Sequence, residues 1–293
     1  MDGAGVAGAA VRYQAGAPAS TDEQRRADTA FTGSIADHYD LHMVPMLFEP
    51  YALDLAGRVA ALGPSRVLET AAGTGVATRA MARALPARVG LVATDLNQPM
   101  LDRGTAVGTE RPVHWHQADA AHLPFDDATF DVVACQFGVM FFPDKPRAFS
   151  EARRVLRPGG SLVFSTWDRL EENEFADVVT AALAGLFPGD APRFLARTPH
   201  GYFDQEVIAR DLASAGFKAA PRLVSVTARS RASSAQVAAT AFCQGSVLRS
   251  EIEARTGAGL AAATTVCAAA LATRFGEGPI DGEMRAHVVA VRA

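Results

Sequence analysis

The sequence predicts an α/β protein with a parallel sheet that carries its ligand at the carboxyl ends of the strands. Three observations predict it. A short apolar run (Val67, Leu68) ends in Glu69, passes through Thr70-Ala71-Ala72-Gly73-Thr74-Gly75, and opens a helix. In that helix Ala77, Met81 and Leu85 recur at four-residue steps until Pro86 stops it. A second apolar run, Leu91-Val92-Ala93, ends in Asp95, twenty residues beyond Gly75. Downstream, strand-like runs keep alternating with helical ones, as βαβ units require.

Each part of that first corner has a physical use. Gly73 and Gly75 allow a tight turn and leave the backbone bare, so a ligand can approach the amides at the helix N-terminus. A Gly-x-Gly alone is an ordinary strand-to-helix turn. Asp95 adds to it, because an acid at the end of the next strand is placed to accept both ribose hydroxyls of an adenosine. Two cofactor classes use such a corner. A dinucleotide calls for Gly-x-Gly-x-x-Gly/Ala, whereas this register reads Thr78 at the third small position. Glu69 would repel a pyrophosphate and suit the cationic amino-acid tail of S-adenosylmethionine. A nicotinamide-dependent oxidoreductase is therefore the weaker alternative.

Here the chain resembles the class I S-adenosylmethionine-dependent methyltransferases, through Glu69, Ala71, Gly73 and Gly75, with alanine where that family has its first glycine. Further matches follow. Ala36-Asp37-His38-Tyr39-Asp40 and Pro45-Met46-Leu47-Phe48-Glu49-Pro50-Tyr51 resemble the segment before the first strand in small-molecule methyltransferases of the ubiquinone/menaquinone-biosynthesis type. Leu123-Pro124-Phe125 and Arg157-Pro158-Gly159-Gly160 are similar to that family as well. The resemblance implies a Rossmann-like sheet of seven strands in the order 3-2-1-4-5-7-6, the last antiparallel, with helical insertions. It also implies a cofactor site: Tyr39 as a cap, the turn residues Glu69, Thr70, Ala71, Gly73 and Gly75, and Asp95 on the ribose. Leu96 and Met100 flank the adenine, Asp119 accepts from its amino group with Ala120 beside it, and Gln136 and Phe137 touch the cofactor from the end of the fourth strand. Met140, Phe141 and Tyr202 are the expected contacts to the acceptor.

The remaining elements fall in order. Residues 1–20, rich in Gly and Ala, read as a disordered leader before a methyltransferase domain over 21–293. A helical cap over 21–62 includes helices at 22–31 and 52–62, and a cofactor-binding core spans 65–167. Within the core, strands are predicted at 113–117, 130–135 and 161–166, with Pro158-Gly159-Gly160 as a turn. The helix over 144–157 has Ala148, Phe149, Ala152, Val155 and Leu156 on one face, and Arg153, Arg154 and Arg157 as a solvated end. Helical insertions over 168–216 and 232–280 contain helices at 171–187, after Asp204, at 234–244 and at 260–275. The last two strands lie at 223–228 and 285–291. The insertions would form a substrate lid or a dimer interface, and the chain a monomer or homodimer.

Composition excludes several classes. A chain of 293 residues, 49% hydrophobic and 20% charged, can bury a sizeable core. Its net charge of −4 gives no electrostatic footprint for nucleic acid. Gln136-Phe137-Gly138-Val139 also stands where base methyltransferases carry Asn/Asp-Pro-Pro-Tyr/Phe to hold a flipped base. Cys135, Cys243 and Cys267 are too few and scattered for zinc or a disulfide framework, and His114 and His116 share a strand face without a third ligand nearby, so no metal is expected. No apolar run reaches membrane-spanning length and no signal peptide is evident, which points to the cytoplasm.

The expected activity is transfer of a methyl group to a small-molecule acceptor, with oxygen slightly ahead of nitrogen or carbon. Alignment of acceptor, methyl and sulfur can supply about 7–11 kcal/mol without acid or base. A base is needed only if the acceptor loses a proton, and His42 and His200 are the candidates, each with an ordinary structural reading too. The alternative from another class is a regulatory module that binds the cofactor without transfer. Side chains filling the space over the methyl group would favour it.

Overall fold

A computed structural model describes residues 28–29 and 35–293. The leader and most of the helix expected at 22–31 lie outside the described residues. Seven strands form one sheet: β1 (Arg66–Glu69), β2 (Gly90–Asp95), β3 (His114–Gln117), β4 (Phe130–Gln136), β5 (Leu156–Trp167), β6 (Arg222–Ala232) and β7 (Ile280–Arg292). Their order is β3-β2-β1-β4-β5-β7-β6, as the resemblance implies. β1 pairs in parallel with β2 and β4, β2 with β3, and β4 with β5, whereas β7 runs antiparallel to both β5 and β6. The register sets Glu69 beside Ala93 on one side and Ala134 on the other. The turn after β1, Asp95 and Gln136 thus share the carboxyl edge of the sheet, where such folds bind ligands.

The central strands are covered on both faces, so their sequences read as continuous apolar runs. Val67, Leu68, Val133 and Ala134 are fully buried. One face packs Ala52, Leu55 and Val59 of a helix over Glu49–Ala61 with Ala77, Ala80 and Met81 of the helix Val76–Ala84. The other face holds a larger aromatic core that includes Phe130, Phe149, Phe164 and Phe175. Each such side chain contributes about 1.5–3 kcal/mol by leaving water.

Three local features differ from the sequence expectation. First, the helical cap expected before β1 contains an unexpected wide π-helical stretch: Ile35–His38 runs into Tyr39–Phe48, and then into Glu49–Ala61. The Glu49 N–H reaches Val44 O, five residues back, around Pro45, which has no N–H to give. Second, Pro158-Gly159-Gly160 is not a turn outside the strand but a bulge within β5. Phe130 faces Leu156, yet Val132 faces Ser161, so the extra residues loop out of the ladder. Third, Arg154 is no solvated helix end. It bonds the carbonyls of Leu123 (2.8 Å) and Phe125 (2.7 Å) and the carboxylates of Asp127 and Glu151 (both 2.8 Å), clamping the loop before β4 to its helix.

β6 and β7 are longer than predicted, and the extension serves the site. Tyr51 donates its hydroxyl towards Met284 O (3.1 Å) and Val226 O (3.2 Å), and Ser230 donates to Met46 O (3.3 Å). These bonds fix the π-helical stretch over the carboxyl edge. The inserted helices Glu174–Leu186, Ala235–Gln244 and Leu260–Phe275 pack with it in the same core.

Candidate active site

The corner after β1 is stitched to the next strand. Thr94 donates its hydroxyl to Glu69 O (2.9 Å), and Ala72 N–H donates to Thr94 O (2.9 Å). Asp95, only 7% exposed, accepts from Gly73 N–H at Oδ2 and from Asn97 N–H at Oδ1, both at 2.8 Å. Burial raises its pKa, against the hydrogen bonds from Asn97 and Gly73 that favour the ionised form. Ala71 sits in the left-handed region with φ +52°, the conformation that the glycine of related turns adopts without cost.

In front of this corner opens a cavity of about 750 Å³ lined by Ala71, Gly73, Asp95, Leu96, Met100, Asp119, Ala120, Gln136 and Phe137, among others. Ten of the thirteen residues expected at the cofactor therefore meet at one place, Tyr39 being the tenth. Gln136 donates from Nε2 to Phe48 O (3.1 Å), which leaves its buried Oε1 with no hydrogen-bond partner among the described residues. Asp119 accepts from Ala121 N–H (2.8 Å), and its side chain is half exposed at the rim.

Three expected cofactor residues stand behind the wall. Glu69 is 1% exposed; its Oε2 accepts a 2.5 Å hydrogen bond from the Thr78 hydroxyl. Burial pushes its pKa up to about 8, against the Thr78 bond and the Arg79 charge. It does not face the cavity, because the next turn of helix folds over it. Thr70 is buried beside it. Gly75 is covered by Trp115: a Cβ there would meet the indole at 2.5 Å. Its missing side chain serves packing, with no ligand approach from that side.

A second cavity, of about 640 Å³, lies across a shared wall of Tyr39, Phe137 and Phe141. Phe137 holds φ +51° and stacks on Trp167 with ring centroids 3.9 Å apart and planes 7° from parallel. Its N–H donates to Ser165 O (3.1 Å), and Tyr51 meets its ring edge-on at 5.2 Å. Tyr39 stacks on Phe48 (5.0 Å), and burial raises its pKa, with Asp95 and Asp40 adding to the shift. The rest of the wall is mostly apolar, with Met43, Leu47, Phe175, Phe194 and Phe242, and the space that a non-transferring module would fill is open.

His200 lines this second cavity, donates from Nδ1 to Asp168 O (2.9 Å), and has its pKa lowered to about 4 by burial. His42 lines neither cavity and stacks on His38 at 5.8 Å. Met140 and Tyr202 are corrected too. Met140 is a core side chain, and Tyr202 is buried with its hydroxyl on Asp211 (2.9 Å) and Lys145 over its ring. Of the three expected acceptor contacts only Phe141 reaches the cavity. Sequence reasoning missed Trp167, although it ends β5 at the same carboxyl edge and the rule that selected Gln136 would have found it. It also missed the inserted-helix aromatics Phe175 and Phe194, for which no local signal exists.

Comparison with known proteins agrees with this architecture. A methyltransferase-domain family model matches residues 68–164. The ubiquinone/menaquinone biosynthesis C-methyltransferase UbiE of Stutzerimonas stutzeri is 30% identical over 204 residues, covering 63% of this chain and 78% of that protein. UbiE of Ralstonia pickettii is 32% identical over 212 residues, covering 67% and 86%. Among solved structures, YcgJ of Bacillus subtilis superposes with a TM-score of 0.53 at 17% identity over 83% of this chain and 98% of its own. BH2331 of Bacillus halodurans gives 0.51 at 21% identity, over 82% and 97%, and both likenesses concern the fold. Among the described residues no helix is long and apolar enough to cross a membrane. With the strand order, the Gly73–Asp95 corner and relatives at this identity and coverage, the chain belongs to the class I S-adenosylmethionine-dependent methyltransferases of the UbiE type, enzymes that methylate small molecules.

Proposed function

We propose that this enzyme methylates a ring carbon of an apolar hydroxyarene, holding the cofactor in the Gly73–Asp95 cavity and the acceptor in the aromatic one. The observation that carries the reading is the shared wall of Tyr39, Phe137 and Phe141 between a polar cavity and an apolar one. The slight preference for oxygen drawn from sequence gives way to carbon here, because the UbiE relatives are named C-methyltransferases.

The residues present fit the cofactor. Asp95 Oδ2 has spent one lone pair on Gly73 N–H and keeps another for a ribose hydroxyl. Oδ1 holds Asn97 N–H at 2.8 Å and has the Asn97 side-chain amide at 3.4 Å, a longer contact that a second ribose hydroxyl would displace. Leu96 and Met100 flank an adenine whose amino group meets Asp119, with Ala120 beside it. Gln136 Oε1 supplies a buried acceptor for the ammonium of the amino-acid tail, and Tyr39 closes over the nucleoside. Glu69 and Thr70 act from behind, shaping the turn and its field. When bound, the sulfonium supplies a methyl group already activated for displacement. The protein orients the acceptor and excludes water through the aromatic wall, where Tyr39, Phe137 and Phe141 touch both substrates. The three cysteines are buried and unpaired, which suits the reducing cytoplasm where we place the enzyme.

The test is to incubate the enzyme with methyl-labelled cofactor and a panel of hydroxyarenes and locate the label by carbon NMR. Label on a ring carbon is expected. Label only on oxygen or nitrogen would overturn the choice of carbon.

A further inference from the structure

We infer that His200 is the proton acceptor for the acceptor's hydroxyl group, held in the one tautomer that can do this. The inference rests on the proposed C-methylation of a hydroxyarene. A carbonyl oxygen can only accept, so the 2.9 Å contact of Nδ1 with Asp168 O places the ring proton on Nδ1. Nε2 is then a bare lone pair. It receives no hydrogen bond from any described residue, and the ring forms part of the cavity wall at 5% exposure. An unbonded imidazole nitrogen in an apolar wall costs stability unless a ligand supplies a donor.

The surroundings hold the ring in place. Asp168 accepts from Arg169 N–H (2.7 Å) and Arg285 Nε (2.5 Å), with His287 Nε2 at 3.3 Å, so the segment that offers the carbonyl is pinned from β7. Trp167 packs against the imidazole at 5.9 Å. Of the other polar side chains that line the cavity, the Tyr39 phenol and the Trp167 indole are not bases at neutral pH, and the rest are committed or at the rim. Asn173 bonds the backbone of Arg169 and Arg285, Ser230 bonds Met46 O, Ser246 bonds Phe242 O, and Glu283 is exposed at the rim. Among the described residues His200 is the one buried basic side chain that lines the cavity.

Burial keeps the imidazole neutral at pH 7, as a base must be. A weak base suffices at this point in the reaction. Bond formation at the ring carbon places positive charge on the hydroxyl oxygen, which makes it strongly acidic. Its O–H bond then breaks, the proton passes to Nε2, and the O–H electron pair becomes the second bond of a ring carbonyl. Loss of the ring-carbon proton to water restores the aromatic system, and the oxygen takes its proton back from Nε2. The imidazole ends neutral and one proton leaves per methyl group.

The first test needs no turnover. In the ligand-free enzyme, nitrogen NMR of labelled histidine should show His200 as the Nδ1–H tautomer with a bare Nε2; an Nε2–H tautomer would overturn the inference. The second uses 2-naphthol with the wild type, His200→Gln and His200→Ala, each first shown to bind S-adenosylhomocysteine like the wild type. The variants should lose at least about a hundredfold in kcat, the scale of a general base. Added imidazoles of similar size should rescue His200→Ala in order of their basicity. Unchanged kcat in both variants, with the wild type labelling carbon, would overturn the role of His200 and leave C-methylation standing. Wild-type label on oxygen alone would instead defeat the reading on which the inference rests.

Discussion

Gly73 gives its N–H to Oδ2 of Asp95 at 2.8 Å, while Oδ1 of the same carboxylate holds the N–H of Asn97, also at 2.8 Å. The acid therefore shapes the corner before any ligand arrives. Asp95→Ala should weaken S-adenosylhomocysteine binding by at least roughly tenfold, the scale of one charge-assisted hydrogen bond. Asp95→Asn should do no better, since its amide must point a donor at one of two backbone donors. Calorimetry checks both, and an affinity within twofold of the wild type would refute the assignment.

Glu69 makes a pH prediction. Its pKa is pushed up to about 8 by burial first, with Asp95 adding to the shift while Thr78 and Arg79 oppose it. A carboxyl whose folded pKa lies above its unfolded value contributes stability that is complete below the unfolded pKa and lost as pH rises through the folded one. The ligand-free enzyme should therefore lose thermal stability as pH rises from about 4.5 to about 8, by no more than about 1.4 kcal/mol per unit, and level off above that. Glu69→Gln should flatten that slope in a melting series; an equal slope in the variant would contradict the assignment.

Gly138 and Ala71 should be energetically coupled. A Cβ on Gly138 would meet the Ala71 Cβ at 2.4 Å and Cys135 Sγ at 2.7 Å. Gly138→Ala should cost about 1–3 kcal/mol of stability by overpacking. Ala71→Gly relieves a left-handed alanine and removes one of the two clashing atoms, so the double variant should recover at least about 0.5 kcal/mol. Denaturant unfolding of the four proteins measures the coupling, and strict additivity would contradict it.

The aromatic cavity should select the acceptor without touching the cofactor. Ala176 lines it from the helix Glu174–Leu186. Ala176→Leu places three more carbons in the cavity and should lower kcat/KM for 2-naphthol by about tenfold or more, with S-adenosylhomocysteine affinity unchanged. A parallel loss of cofactor binding would show that the two cavities are not separate sites.

The corner was legible because its signals are local. Glu69 and Asp95 stand at strand ends with Gly73 in the turn between them, and a short continuous apolar run announces each strand. What misled was orientation. Glu69 has the right charge and position, yet the helix that follows turns it onto Thr78, a contact set by packing. Gly75 looks like a ligand glycine until Trp115, forty residues on, is found against it. The second cavity was illegible for a stronger reason: Phe48, Phe137, Trp167, Phe175 and Phe194 come from five separate stretches of chain, two at the ends of the paired strands β4 and β5 and three on helices packed over them. His200 shows the same limit, since its meaning lies in Asp168 O, thirty-two residues earlier.

The most direct measurement is a crystal structure with S-adenosylhomocysteine. The account predicts the ribose on Asp95 and the sulfur at the Phe137–Phe141 wall, facing the aromatic cavity. A nucleoside lying in the aromatic cavity, or a sulfur directed away from that wall, would contradict it.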